Sequence, residues 1–278
     1  MSKFINPFTD YGFKLIFGRE VSKNLLIEFL NDLLEGERVI TDLTFLNNEQ
    51  LPDYPEGRGI IYDVYCTTDT GEKIIVEMQN RMQSNFKERS IFYLSRAIVN
   101  QGRTGHDWKF EIKAVYGVFL MNFIMDKNIK LRTDVILADK ETGELFSEKF
   151  RQIFIALPLF KKSEEECETN FERWIYILNN METLKRLPFK ARKAVFERLE
   201  KLASKANMTQ EERAQYEEEW KVYNDYFNTL DFAEKKGMQK GMQKEKEVTA
   251  RIMKSKGLSL ELISECTGLT TEEIEKLE

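Results

Sequence analysis

Two acidic residues on neighbouring predicted strands are the feature of the sequence that most directly suggests a chemical function. The stretch GIIYDVYCTTDTGEKIIVEMQ, residues 59–79, places two runs of β-branched and aromatic residues around the turn-like TTDTGE. Side chains alternate along a strand, so a turn centred on Thr70 places Asp63 directly opposite Glu77. Opposed Cβ atoms on neighbouring strands lie roughly 5 Å apart. Two like charges at that separation destabilise a sheet unless a cation lies between them.

Two interpretations of this acidic pair stay open at the level of the sequence. The first is an ordinary solvent-facing pair, which charged residues on antiparallel strands usually form. The second is a covered pair, because the same strand faces carry Ile61, Tyr65 and Ile75. The register also places Ile61 opposite Gln79. A covered pair predicts a site for a divalent cation, Mg²⁺ or Mn²⁺, held by oxygen atoms.

The composition limits the classes of protein and of metal site. Hydrophobic residues make up 42% of the 278 residues, enough for a folded core, and charged residues make up 32%. A net charge of −5 gives no support for nucleic-acid binding by bulk attraction, so a DNA-binding protein would need a local basic patch. His106 is the only histidine and the three cysteines are far apart, which leaves carboxylate and carbonyl oxygens as metal ligands. The opening MSKFINPFTD and the lack of an apolar run of about 18 residues predict a reducing, cytoplasmic location without a membrane span.

The hydrophobic pattern predicts the elements that position the pair. Apolar residues recur at helical spacing in two segments, and short β-branched or aromatic runs mark the strands. The segment 111–123 is a nearly continuous apolar run, typical of a strand covered on both faces. The predicted elements are helices at 21–34 and 85–101, strands at 36–47, 111–123 and 151–160, a loop at 47–59 and a second hairpin at 133–146.

The C-terminal part of the sequence has a different composition. Glu, Lys, Arg, Leu and Ala dominate from about residue 162 to about 236, which predicts helices. The segment KKGMQKGMQKEKE is polar and favours a helical linker. Two short helices follow on either side of Gly268, the second with Thr270 and Glu273 as a capping box. The predicted organisation is a core at 1–160, a helical extension at 161–234, a helical linker at 235–256 and a two-helix tail at 257–278.

Four blocks of sequence together carry a family resemblance. They are NPFTDYGFKLIFG, YDV…TGEKIIVEMQ, ERSIFYLSRAIVNQ and IFIALPLF, in that order. An Asp, a hairpin turn and Glu-x-Gln at the end of an apolar strand resemble the PD-(D/E)XK nuclease core. The four blocks resemble the PD-(D/E)XK family transposases, also called recombination-promoting nucleases, over roughly residues 4–160. The resemblance implies an α/β fold with a restriction-endonuclease-like core, a mixed central β-sheet flanked by helices, and a helical C-terminal region after it.

The resemblance also implies roles for the residues of the hairpin. Asp63 matches the metal-binding Asp of the motif, Glu77 matches its (D/E), and the backbone carbonyl of Met78 is implied as a further ligand. Gln79 takes the position usually held by Lys. Its amide cannot take up a proton, but it can position a water or a phosphate oxygen. Tyr62 replaces the Pro of the motif, a departure that puts little in doubt because this Pro is often missing.

Residues flanking the hairpin offer further candidates. Asp10 and Lys14 lie one helical turn apart, and either complete the site from the first helix or pair with each other at the surface. The helix after the hairpin carries a basic and aromatic stripe, which either follows the phosphates of DNA or is an ordinary solvated face. His106 is expected to be structural or exposed and not catalytic. The residues expected to bind DNA are Lys87, Arg89, Tyr93 and Arg96, with Asn100 on the same side of the helix.

These features predict an enzyme, a Mg²⁺- or Mn²⁺-dependent DNA endonuclease that hydrolyses phosphodiester bonds and promotes recombination. The alternative is an inactive nuclease relic that acts as a protein-interaction module through its helical C-terminal half. The acidic charge balance favours the alternative, and the intact Asp63, Glu77 and Gln79 favour the enzyme. DNA is the expected partner, together with a second copy of the chain bound through the C-terminal helices.

Overall fold

The structure is a computed structural model of the chain, and it forms two compact units, Met1–Glu219 and Trp220–Glu278. Among the residues that it describes, no helix is long and apolar enough to cross a membrane. His106 lies outside the described residues. These are 2–52, 56, 58–103, 105, 108–189 and 194–277.

The first unit contains all of the described strands and most of the helices, and α6 begins in it. Amphipathic patterning and capping residues account for the helices, such as Thr9, whose side chain accepts from the Gly12 N–H at the start of α1. In chain order the elements are α1 (Asp10–Phe17), α2 (Lys23–Leu33), β1 (Leu43–Phe45), β2 (Glu49–Gln50), β3 (Ile60–Ile61), β4 (Val64–Thr68), β5 (Lys73–Gln79), α3 (Phe86–Val99), β6 (Val115–Met121), β7 (Arg132–Ala138), β8 (Leu145–Ala156), α4 (Asn170–Asn180), α5 (Ala194–Ala203) and α6 (Gln210–Ser255).

Six of these strands form one mixed sheet, in the order β1-β4-β5-β6-β8-β7. The three central strands β5, β6 and β8 run parallel. Strands β4 and β7 pair antiparallel with β5 and β8, and β1 pairs antiparallel with β4. Strands β2 and β3 form a separate antiparallel pair. The mixed central sheet flanked by helices confirms the fold class predicted from the sequence, and it is consistent with a restriction-endonuclease-like fold.

Alternating side chains of the sheet contact helices on both faces. On one face, Trp174 of α4 packs against Phe17 of α1 and Phe29 of α2, with ring centroids 6.0 and 5.8 Å apart. On the other face, α3 lies so close to β6 that a Cβ on Gly117 would come within 2.5 Å of Leu94 Cδ1, which only glycine avoids. The packed core therefore continues past residue 160, the predicted end of the first region. That residues 1–160 form a separate unit stays a prediction.

The first strand of the predicted hairpin is broken at its most important residue. Strand β3 ends at Ile61 and β4 begins at Val64, because the chain bends at Asp63. Tyr62 and Tyr65 consequently face the same core cluster, although strict alternation would separate them. The predicted pairing of Ile61 with Gln79 is wrong, because Ile61 pairs with Glu49 of β2 and is 65% exposed.

Other predicted elements agree with the structure to different degrees. The helices at 21–34 and 85–101 and the strand at 111–123 are confirmed as α2, α3 and β6. The strand predicted at 36–47 is limited to the three residues of β1. This segment loses most of its predicted length because only Leu43–Phe45 pairs with β4.

The second unit consists of the C-terminal part of α6, with α7 (Leu260–Thr267) and α8 (Thr271–Glu275). Its small core contains Ala250, Ile263, Leu269 and Ile274. Gly268 ends α7 with a φ of 68°, which glycine adopts without strain. The predicted capping box is confirmed, since Thr270 and Glu273 each accept a hydrogen bond from the backbone N–H of the other. The glycine-containing segment 235–247 is helical, as predicted, and belongs to α6.

Candidate active site at the carboxyl end of β5

The register of β4 and β5 brings the two predicted acidic residues together. Val64 pairs with Val76 and Tyr65 with Ile75, so the same register extended by one residue places Asp63 opposite Glu77. The register predicted from the sequence is therefore confirmed. Because β5 is parallel to β6 and β8, Glu77 lies near the carboxyl end of parallel strands, where α/β folds bind ligands.

Hydrogen bonds from backbone N–H groups hold both acidic side chains. The backbone N–H of Asp63 donates to Glu77 Oε1 at 3.1 Å. The backbone N–H of Met78 donates to Asp63 Oδ2 at 2.8 Å. Each carboxylate is thus held by the backbone of the opposite strand. Glu77 Oε1 is therefore one hydrogen bond away from the backbone of Asp63, and the two carboxylates are neighbours.

The environment of Asp63 favours its protonated form. Burial raises the pKa of Asp63 to about 6, against the opposing effect of the hydrogen bond from the Met78 N–H. The nearby charge of Asp10 raises this pKa further, and the charges of Lys14 and Arg89 lower it. Asp63 is therefore a carboxyl group that ionises near neutral pH. A bound cation would stabilise its ionised form.

The environment of Glu77 also favours the protonated form of its carboxyl. Its side chain is only 3% exposed, and burial raises its pKa well above the ordinary value. The charge of Asp63 raises the pKa of Glu77 further, while the Asp63 N–H, Arg89 and Gln79 lower it. Two neighbouring carboxyls with raised pKa values are typical of catalytic and metal-binding sites.

A cavity of about 90 Å³ lies between Asp63 and the N-terminal part of α1. Asn80 lines it, and donates through Nδ2 to the carbonyl of Phe8 at 2.6 Å. Its Oδ1 is buried and has no hydrogen-bond partner among the described residues. Asp63 Oδ1 likewise accepts no hydrogen bond within the described part of the chain. The residues lining the cavity are Phe8, Thr9, Asp10, Phe13, Asp63, Met78 and Asn80.

The Asp63 and Asn80 oxygens in this cavity are donors that fit a hard divalent cation, and Glu77 is not among the residues that line it. Within the ranges that the structure describes, no group of three or more His, Cys, Asp or Glu side chains could hold a metal by itself. A cation beside Asp63 and Glu77 would therefore also need amide, backbone carbonyl or water oxygens. Met78, whose carbonyl is the further ligand predicted from the sequence, lines the same cavity. Asn80 was missed by the sequence analysis, because alternation places it on the opposite face from Gln79.

Gln79 binds Glu77 and connects it to α3. Its Nε2 donates to Glu77 Oε2 at 3.0 Å, so both oxygens of Glu77 accept hydrogen bonds from the protein. Its Oε1 accepts a hydrogen bond from the guanidinium of Arg89. The role of Gln79 in orienting a reactant stays a prediction.

Asp10 and Lys14 combine the two interpretations that the sequence left open. They form an i,i+4 ion pair at 2.8 Å within α1. Asp10 also lines the cavity, and both charges act on the pKa of Asp63. The first helix therefore contributes charge to the site, whether or not either residue contacts a ligand.

The predicted DNA-binding residues of α3 lie in different surroundings. Lys87 forms an ion pair with Asp126 at 3.0 Å, and Arg96 donates to the carbonyl of Leu51 at 2.6 Å. The carbonyl of Tyr93 accepts from the Tyr62 hydroxyl at 2.9 Å. Asn100, on the same side, donates to Gln50 at 2.9 Å.

Arg89, by contrast, contacts the candidate site itself through Gln79. Contacts of these residues with DNA stay predictions.

Comparison with known proteins assigns the chain to a family. The family model described as PD-(D/E)XK nuclease family transposase matches residues 7–233, which is more than half of the chain and includes Asp63, Glu77 and Gln79. No curated protein and no solved structure gives a significant match. The matched range contains the whole six-stranded sheet and the candidate site. The chain belongs to the PD-(D/E)XK nuclease transposase family.

Proposed function

We propose that this protein is a DNA nuclease that hydrolyses phosphodiester bonds with a divalent cation held at Asp63 and Glu77. The observation that carries the proposal is the pair of neighbouring carboxyls at the carboxyl end of β5, each of which accepts a hydrogen bond from a backbone N–H of the facing segment. Burial of two like-charged groups side by side costs stability when both are ionised. A bound cation compensates the repulsion between the two negative charges. The arrangement is therefore suited to a protein that binds a metal ion.

The residues of the site divide into ligands and orienting groups. Asp63, Glu77 and the Met78 carbonyl would hold the cation, with Asn80 as an additional oxygen donor. A bound Mg²⁺ or Mn²⁺ supplies Lewis-acid polarisation of the scissile phosphate and lowers the pKa of the attacking water. Gln79, fixed between Glu77 and Arg89, would orient that water or a phosphate oxygen by hydrogen bonding.

Family membership supports DNA as the substrate, and breakage of DNA would be sufficient to promote recombination. The basic residues of α3 and Lys14 of α1 would supply the local positive charge for the phosphates. Because the net charge is −5, binding would depend on this local charge and would weaken steeply with salt. A cytoplasmic location and association of two chains through the C-terminal helices belong to the same proposal.

An inactive relic that acts as an interaction module is the second candidate. One observation favours it, since both Glu77 oxygens are already satisfied by the protein and a cation would compete with these contacts. The two candidates differ in a measurable property. The nuclease binds a divalent cation at Asp63 and Glu77, and the relic does not.

Cleavage of supercoiled plasmid DNA with and without Mg²⁺ or Mn²⁺ tests the proposal. Asp63→Asn is the matched variant, because its amide oxygen can still accept from the Met78 N–H while the charge is removed. We expect metal-dependent nicking by the wild type and a loss of at least about 100-fold in the variant, as for removal of several kcal/mol of charge stabilisation. Equal cleavage by both proteins would overturn the assignment of the site. Absence of cleavage and of metal binding in the wild type would favour the relic.

A further inference from the structure

We propose that Arg89 is a positioning residue of the candidate site, which fixes the Gln79 amide in the one orientation that donates to Glu77. This inference rests on the proposed function and assigns Arg89 a role different from the phosphate contact expected from the sequence. It concerns a side chain on α3 that makes its hydrogen bond to the site through Gln79.

The chemistry of the two groups determines the direction of the hydrogen bonds. A glutamine amide has one accepting end and one donating end, and both orientations have nearly the same shape. A guanidinium only donates, so Arg89 can bind the oxygen of Gln79 and cannot bind its NH₂ group. The Gln79 Nε2 is consequently directed to Glu77 Oε2, at 3.0 Å. Arg89 therefore selects the orientation in which Gln79 supports the ionised form of Glu77.

Arg89 is itself held in place by α3 and by the segment before it. Its Nη1 donates to Gln83 Oε1 at 2.7 Å. The guanidinium carbon lies 5.8 Å from the ring centroids of both Phe86 and Tyr93. Contacts of a planar guanidinium with two rings and two amide oxygens restrict its rotamers. Such a preorganised cation is suited to orient a neighbouring group, whereas phosphate contacts on a helix surface are commonly made by mobile side chains.

A chain of three hydrogen bonds thus runs from α3 to the acidic pair. It leads from Arg89 to Gln79, from Gln79 to Glu77, and from the Asp63 N–H to Glu77. Glu77 accepts from protein groups on both sides. Loss of Arg89 would remove the contact that disfavours the flipped amide, in which the Gln79 oxygen faces Glu77 and Nε2 no longer donates to it.

Solvent exchange of the Gln79 side-chain amide protons, measured by NMR on the full-length metal-free protein, tests the inference directly. In Arg89→Gln we expect this exchange to accelerate about 10-fold, the factor corresponding to loss of one hydrogen bond. Arg96→Gln is the matched control, because it removes the same charge from the same helix and should leave Gln79 exchange unchanged. Unchanged exchange in a folded Arg89→Gln or Arg89→Met protein would overturn the inference, whether or not the protein cleaves DNA.

Kinetics and DNA binding provide the second readout. If Arg89 positions Gln79, Arg89→Gln should lower kcat by about 10-fold to 100-fold with the salt dependence of DNA binding unchanged. If Arg89 instead contacts a phosphate, the salt slope should fall by about one with kcat unchanged, and the inference is overturned. The double variant Gln79→Lys with Arg89→Gln places a fixed donor and a positive charge beside Glu77, and should recover most of the lost rate. A faster Gln79 exchange in a protein without any nuclease activity would reject the proposed function and leave the positioning role intact.

Discussion

Asp63 and Glu77 orient each other across two strands, because the N–H of Asp63 donates to the Glu77 carboxylate and the Asp63 carboxylate accepts from the residue after Glu77. Backbone N–H groups bind an ionised carboxylate more strongly than a neutral one. The geometry of the pair is therefore set by the protein. A bound cation, a proton or a substitution therefore changes mainly the net charge of the pair.

Unfolding free energy of the metal-free protein should depend on pH through this pair. The pKa of Asp63 is about 6 in the folded protein against an ordinary value of 3.8, so the folded state binds the proton more tightly. The resulting stability is fully present below pH 3.8, is lost as the pH rises through about 6, and amounts to on the order of 2 to 3 kcal/mol. Glu77 changes stability in the same direction. Denaturant unfolding at pH 5 and pH 8 should show Asp63→Asn gaining stability relative to the wild type as the pH rises. A constant difference between the two proteins would contradict the raised pKa.

Binding of Mg²⁺ should release protons near pH 6, because the cation favours the ionised form of both carboxyls. Calorimetry in buffers of different ionisation enthalpy measures this release. We expect the apparent Kd to weaken as the pH falls from 8 to 5.5, and we expect Glu77→Gln to reduce both the affinity and the number of protons released. Affinity that does not change over this pH range would place the cation away from the pair.

Asn80→Ala should weaken Mg²⁺ binding by about 10-fold, if its unpartnered Oδ1 supports the cation directly or through a water. The substitution also removes the hydrogen bond from Nδ2 to the Phe8 carbonyl. Asn207→Ala is a suitable control, because it removes a similar amide-to-carbonyl hydrogen bond, to Lys201, on a different segment. Equal loss of thermal stability in both variants without a change in Mg²⁺ affinity would make Asn80 a purely structural residue.

Truncation after Lys236 should leave the first unit folded, since that unit ends at Glu219. Truncation after Met208 should be far more damaging. It removes Tyr216, which is 1% exposed and whose hydroxyl accepts from the Asn6 N–H at 2.8 Å. Loss of such a buried aromatic side chain costs about 3 to 5 kcal/mol. Thermal unfolding followed by circular dichroism compares the two fragments with the full chain, and similar melting of the two fragments would refute the distinction.

Local patterns in the sequence determined the elements and the register of the site. The turn at Thr70 and the alternation of β5 were sufficient to place Asp63 opposite Glu77, because both follow from short-range backbone geometry. The apolar run of β6 and the helical spacing of α3 were equally clear. The capping box at Thr270 is a local device and was correctly predicted for the same reason. Four ordered blocks of residues were enough to identify the family.

Tertiary structure decided how these elements complete the site. The bend at Asp63, which frees its N–H to bind Glu77 and diverts Ile61 to Glu49, depends on packing of Tyr62 against α3 and has no signal in the alternation. The position of the Asn80 side chain depends on contact with the Phe8 carbonyl, 72 residues earlier in the chain. Arg89 lies on a helix face that the sequence could assign only as polar. Whether such a side chain meets solvent, DNA or Gln79 is determined by the distance of α3 from the end of β5, and that distance is set by the whole core.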